Sequence, residues 1–233
     1  MSGHGPIQTI PLISDEHVAF RVRGDYANLA GLSDRLAYGT DGVFAPSSQW
    51  TMTSASVNFQ QQGVAAQNVI HLTGPRTAFP GSGGVYFAVD SVANNAVTLR
   101  MLGQQLGIGQ PPVSTAGVSG VTFTVATFAN LIDVASYELK IRFGIDDANF
   151  FRSTVYIYNG VEDKYRCLQD AVVFNVIMNA YQSDARSEKG DWAMKLKNYT
   201  RKYESALSRV EVQWGSIGDA QESTDLFSAN VCR

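Results

Sequence analysis

Residues 49–127 of this 233-residue chain carry only three charged side chains, Arg76, Asp90 and Arg100. A stretch that long with so little charge cannot present a solvated helical surface, and its apolar residues must meet one another. β-Branched and aromatic residues alternate with polar ones in "NVIHL", "GVYFAVDSV", "AVTLRM" and "GVTFTVAT". That period of two places alternate side chains on opposite faces of a strand. "QWTMT" reads as the first strand and "SVNFQQQGV" as a one-turn helix between strands. In "VDSVANNAVTLRM", Asn94-Asn95 lies between two strand runs, and asparagine tolerates the positive φ of a tight turn, which predicts a hairpin. Five short strands with long loops predict a small barrel or sandwich.

At Phe128 the period changes to 3.6. "FANLIDVASYELKIRFG" puts Phe128, Leu131, Ile132, Ala135, Leu139 and Phe143 on one helical face, with Gly144 placed to end it. In "VEDKYRCLQDAVVFNVIMNAYQSDAR", Leu168, Val172, Val176 and Ala180 form a stripe that Val173 and Ile177 widen, so this helix is expected to be buried on more than one side. Trp192, Leu196, Tyr199, Tyr203, Leu207, Val210 and Trp214 follow steps of three or four, the narrow seam of an antiparallel helix pair. The opposite face carries Lys189, Lys195, Lys197, Arg201, Lys202 and Arg209. Upstream, Ser14 is an N-cap, with Asp15 and Glu16 in a first turn where the helix dipole favours anions. A short helix from residue 14 to about 23 follows, and another before Gly39, ended by "GTDGVFAPSSQ".

The predicted fold class is α+β: a helical bundle, made of the N-terminal segment and three C-terminal helices, with an inserted small β-barrel or sandwich domain. The boundaries read as an N-terminal helical segment 1–48, an inserted β domain 49–127, a helical bundle 128–214 and an extended tail 215–233.

Composition and motifs bound the chemistry. The net charge of −3 supplies no basic field for nucleic acid or an anionic membrane. No apolar run reaches the roughly 20 residues that span a bilayer, and no secretory signal is visible, so a soluble chain made without export is expected. Cys167 lies in an apolar helical run and Cys232 is next to last, which argues against a bridge and for a buried, inert Cys167. "LTGPRTAFPGSGGVY" is rich in glycine, but a phosphate loop needs a Lys-Ser/Thr pair and a following helix, and here a strand follows. It reads as a strand-to-strand loop that leaves Arg76 exposed for a partner. "GIGQPPVSTAG" fails as a dinucleotide fingerprint because prolines follow its glycines. His4, His17 and His71 have no metal-ligand spacing, and no nucleophile elbow is present. Asp146-Asp147 reads as a helix exit, and Asp184, Glu188 and Asp191 as solvation of a helix–helix turn. The basic face of the last helix is offset by Glu188, Asp191 and Glu204 and reads as solvated. Neither enzymatic activity, nor a cofactor, nor a metal is expected.

Three stretches carry a family likeness: "SVNFQQQGVAAQNVIHLTGPR", "ASYELKIRFGID" and "LQDAVVFNVIMNAYQSDARSEKGDWAMKLKNYTRKYESALSRV". They resemble, in order, the F-x-x-x-G-V turn before a barrel strand, the helix leading from barrel to bundle, and the paired helices of the head-to-tail adaptor (connector or neck) proteins of long-tailed bacteriophages and gene transfer agents. The likeness covers about residues 56–214. It implies a helix bundle, with an inserted β domain in this subgroup, and a virion protein of the neck assembled in the host cytoplasm. It implies self-association into a ring, dodecameric on the portal protein, which offers a platform for the next neck or tail-terminator protein. Packaged DNA passes through such a ring without sequence-specific binding, and no membrane, enzyme activity or cofactor is involved. In relatives the segment after the bundle reaches into the portal, which maps onto residues 215–233. The candidate partner-binding residues are Arg76, Gln104, Gly109, Pro111 and Pro112 in the loops, and Asp225, Leu226, Phe227 and Arg233 in the tail. Loop 104–120 and the tail are expected to become ordered in the assembled ring.

Two other classes fit the same lack of chemistry. One is another neck or tail protein, such as a tail completion or minor tail protein. The second is a ligand-binding β module on a helical stalk, for which Phe79, Tyr86 and Phe87 would have to share a barrel face. An enzyme would need a pocket with a perturbed carboxylate or cysteine.

Overall fold

The computed structural model describes residues 11–22, 25–46, 50–75, 84–102, 117–144, 162–183 and 190–210. The chain divides into two compact units, one of Ser14–Ala129 and the other of Met1–Ile13 with Asn130–Arg233. Mixed helix and strand make the fold α+β.

The first unit is built on a closed barrel of six antiparallel strands: β1 (Asp34–Phe44), β2 (Thr51–Thr53), β3 (Val69–Thr73), β4 (Val85–Val92), β5 (Ala96–Met101) and β6 (Val121–Thr127). Around the barrel the order is β1-β2-β5-β4-β3-β6, so β6 returns to β1 and no edge is left unpaired. Alternation fills the interior. Ile70 and Leu72, Phe87 and Val89, Val97 and Leu99, and Val121, Phe123 and Val125 all join one buried cluster with Phe44, Met52 and Phe59.

β1 lies inside the segment 1–48 read from sequence as helical, and "QWTMT" forms the second strand rather than the first. Two register shifts, between Arg35 and Ala37 and between Gly39 and Gly42, break the alternation of β1 and hide its period. They also bend it, so that one end pairs with β6 and the other with β2. The glycines at the second shift make room for the core. A Cβ on Gly39 would lie 2.4 Å from the Phe123 ring, and one on Gly42 would lie 2.9 Å from the Val121 carbonyl.

The hairpin at Asn94-Asn95 is present, with Ala93 N–H donating to the Ala96 carbonyl at 2.8 Å. It needs no positive φ: among the described non-glycine residues only Gln67 has one. The carbonyls of Asn94 and Asn95 instead accept from Phe59 N–H at 2.6 Å and Ser54 N–H at 2.9 Å. "SVNFQQQGV" forms hydrogen-bonded turns, with Val64 N–H reaching the Phe59 carbonyl at 3.0 Å.

Two short helices precede the barrel: α1 (Asp15–Arg21), capped by Ser14, and α2 (Tyr26–Ala30). The outer row Arg100–Ala88–Val69–Ala126 runs across β5, β4, β3 and β6 by register, and all four side chains are buried. The two alanines keep that row shallow enough for a helix to lie over it. Val18, Ala19, Val22, Tyr26 and Leu29 supply the buried apolar side of α1 and α2.

The second unit holds α3 (Ala129–Arg142, whose first residue falls in the barrel unit), α4 (Glu162–Ser183) and α5 (Gly190–Leu207). Ile132, Ala135, Leu139 and Phe143 are buried on the face expected of α3, and Gly144 follows at φ +66°. On α4, Leu168, Val172, Val173, Val176, Ile177 and Ala180 are all buried. α4 and α5 run antiparallel through an aromatic seam: Tyr181 meets Trp192 edge-on at 5.1 Å and stacks on Tyr199 at 5.8 Å, and Phe174 meets Tyr199 at 6.3 Å. Lys202, from the basic face, lies 4.8 Å over the Tyr199 ring, a cation–π contact. Leu12 N–H donates to Ser136 Oγ at 3.1 Å, which ties the N-terminal segment to α3. No described helix is long and apolar enough to cross a membrane.

Candidate functional site

Arg76, Gln104, Gly109, Pro111, Pro112, Asp225, Leu226, Phe227 and Arg233 lie outside the described residues, as do most of loop 104–120 and all of the tail 215–233. The structure instead brings together a buried polar cluster that sequence reasoning did not assemble. It sits where the chain enters and leaves the barrel unit.

Asp15 opens α1 and is buried. Its Oδ1 accepts from Phe128 N–H at 2.7 Å, and its Oδ2 accepts from Thr127 Oγ1 at 2.8 Å and from Asn68 Nδ2 at 2.8 Å. Thr127 Oγ1 accepts in turn from Ala129 N–H at 3.0 Å, at the start of α3. One carboxylate thus stitches the chain's way into the barrel to its way out. Burial pushes the Asp15 carboxyl above its ordinary range, and these three hydrogen bonds only partly offset it.

Glu16, the next residue, forms a two-point pair with Arg100 on β5, at 2.6 and 2.5 Å, and both side chains are buried. Arg100 Nε also faces Asp90 Oδ1 at 3.3 Å. Two of the three charges in residues 49–127 therefore serve this cluster. Asp15 and Glu16 were read as dipole-favoured residues of a first turn, but their partners are barrel atoms. A sole arginine in an otherwise uncharged strand was the sequence signal that could have exposed this. At position 17, His17 Nδ1 accepts from Ser14 N–H at 3.2 Å, and burial, the largest influence, holds the imidazole below its ordinary range. A neutral ring is the form that can accept there.

This arrangement is a clamp. Each Asp15 oxygen and both Glu16 oxygens accept from protein donors. Among the described residues no group of three His, Cys, Asp or Glu could hold a metal ion. Cys167 is half-buried on α4.

A second polar knot joins β1 to the turn after β2. Asp41 Oδ1 accepts from Ser54 Oγ at 2.8 Å and Ser56 Oγ at 2.9 Å, while Oδ2 accepts from the N–H groups of Ala55 at 2.8 Å and Ser56 at 2.9 Å. Partial burial alone would raise this carboxyl, but the four donors win and hold it at about 2.

Tyr86 and Phe87 occupy opposite faces of β4. Phe87 points into the barrel core. Tyr86 lies outside, stacked on His71 at 4.4 Å and met edge-on by Tyr26 at 5.1 Å. They form no shared platform for a ligand, and Phe79 lies outside the described residues. The large hydrophobic side chains exposed among the described residues are Tyr38 and Val43 on β1, Val134, Tyr137 and Ile141 on α3, and Met194 on α5. No known protein family, curated protein or solved structure matches the chain.

Proposed function

We propose that this chain is a virion structural protein, a head-to-tail adaptor whose copies form a ring on the portal and join capsid to tail around the DNA channel. The observation that carries the reading is the manner in which the barrel is inserted. Asp15 binds residues 127–128 to the start of α1, so a closed barrel hangs from a chain whose remaining described elements are helices. The family likeness implies a β domain inserted between helical segments, and the barrel's place in the chain supports that reading. In the proposed bundle α3, α4, α5 and the N-terminal segment pack together. The Leu12–Ser136 bond, the α4–α5 aromatic seam and a 3.2 Å bond from Asn175 Nδ2 to Glu138 Oε2 support it.

The occupied carboxylates and the exposed apolar helix face favour assembly over catalysis. The test is native mass spectrometry and electron microscopy of the full chain mixed with a candidate portal protein. The expected result is a ring of this chain seated on the portal. Absence of a complex, or density further along the tail, would replace this reading with that of another neck or tail protein.

A further inference from the structure

α3 is apolar on two opposite faces. Ile132, Ala135, Leu139 and Phe143 face inward and are buried. Val134, Tyr137 and Ile141 sit on the reverse side at spacings of three and four residues, and are 50%, 49% and 61% exposed. A helix that is apolar front and back is covered front and back in its working state, because a continuous apolar stripe in water is a standing driving force for association. The stripe is flanked by two exposed acids, Asp133 and Glu138, of which Glu138 Oε2 also accepts from Asn175 Nδ2 of α4 at 3.2 Å. Two cations lie near them: Lys140, buried and close enough to act on Asp133, and Arg142, beside Tyr203.

The outward face of α5 has the opposite character. Met194, the most exposed of the large hydrophobic residues at 66%, lies in line with Lys197 and Arg201 at the same three- and four-residue spacing, and both cations are exposed. Glu204 lies one turn further on. This row is the reverse side of the helix from Tyr199 and Ala206, which are buried.

We infer that the Val134–Tyr137–Ile141 face of α3 docks on the Met194–Lys197–Arg201 face of α5 in a second copy of this chain. Charge selects that occupant and that pairing. An α3–α3 contact would oppose Asp133 and Glu138 to their own copies, and an α5–α5 contact would oppose Lys197 to Arg201. The α3–α5 contact sets acids against bases around an apolar centre, and lets Arg201 lie against the Tyr137 ring. Because the two faces differ, the contact is heterologous: each copy has one of each, and repetition yields a ring or an open chain of subunits. The inference deepens the ring component of the proposed function and rests on it, but not on portal docking.

The experiment uses the full chain with Cys167→Ser and Cys232→Ser, so that added cysteines report alone. Ile141→Cys and Met194→Cys proteins are oxidised separately and mixed. Disulfide dimers are expected from the mixture and not from either protein alone. Dimers of Ile141→Cys with itself, or none in the mixture up to millimolar protein, would overturn the inference. Sedimentation velocity gives the second arm. Ile141→Asp should weaken self-association at least tenfold. Lys197→Glu/Arg201→Glu should do the same, and should recover in part when mixed with Asp133→Lys. Self-association unchanged in these variants would overturn the contact, including the case in which residues 211–233 of the same chain cover α3. If the cross-link forms and the portal is not bound, the adaptor reading fails while this contact stands. If a portal-bound ring forms and ignores the substitutions, the reverse holds.

Discussion

Asp15 and Tyr26 are neighbours with opposite polar accounts, and substitution should separate them. Asp15 gathers three donors, from Asn68, Thr127 and Phe128. In Asp15→Asn, one carboxylate oxygen becomes an amide N–H that must face the Phe128 N–H or the Thr127–Asn68 pair. A buried donor left unmet costs about 1–3 kcal/mol, so a lowered thermal midpoint is expected. Tyr26 is fully buried, and its hydroxyl has no hydrogen-bond partner, while burial, Asp15 and Tyr86 all hold it protonated. Its ring is held by edge contacts with Tyr86 and Phe128. Tyr26→Phe removes an unmet group and keeps the ring, so calorimetry should find it as stable as the wild type or more so. Asp41 makes a pH prediction. Its folded carboxyl is held at about 2, below the ordinary 3.8, so the unfolded chain binds the proton first. Its contribution is complete above about pH 4 and is lost as pH falls from there towards 2. Asp41→Asn should therefore be less stable than the wild type at pH 7, with the gap closing in acid. Asp15 runs the other way: its raised carboxyl favours the folded state below the ordinary range and loses that contribution as pH rises through the folded value. Urea midpoints measured from pH 2 to 7 on both variants would show the two opposite slopes.

Elements could be read from sequence where the apolar period survives over most of their length, as in β4 despite its register shift between Val89 and Ser91, and could not where two shifts break it. The faces of α3 and α4 lie where their apolar spacing puts them, and Gly144 ends α3 in the left-handed conformation expected of it. β3, β4, β5 and β6 likewise form where apolar and polar residues alternate, with alternate side chains turned into the core. β1 escaped because its two bulges shift the pattern partway along, and because Asp34, Arg35 and Asp41 give it the look of a solvated segment. The polar cluster was hidden for a different reason. Asp15, Asn68, Arg100 and Thr127 are far apart in sequence, and only strand register brings Arg100 into the row beneath α1. The same barrel geometry yields a test. Gly39 lies against Phe123, whose ring is buried. Gly39→Ala should cost about 1–3 kcal/mol by overpacking. Gly63 has open space around it but a φ of +77°, so Gly63→Ala should cost only backbone strain, about 1 kcal/mol. Thermal unfolding of both variants checks the order; equal losses would mean that the barrel accommodates the extra carbon by moving Phe123.

At the scale of the whole molecule, the barrel unit has what an independently folding domain needs. Its sheet closes on itself, so cutting it out exposes no strand edge. Its core cluster is drawn wholly from residues between Ala37 and Val125. Its two ends are held together from inside, since Asp15, Asn68, Thr127 and Phe128 all belong to Ser14–Ala129. Ends that meet are the condition for inserting a domain into another chain without unravelling either. An excised fragment of residues 14–129, starting at the Ser14 cap, should therefore melt in one cooperative step, with dispersed amide resonances. Asp15→Ala should lower the fragment's midpoint more than it does in the full chain, because the free ends then lack the Leu12–Ser136 tie. A fragment without a cooperative transition would show that the clamp and the closed sheet are insufficient. Equal losses in fragment and full chain would assign Asp15 to local hydrogen bonding alone.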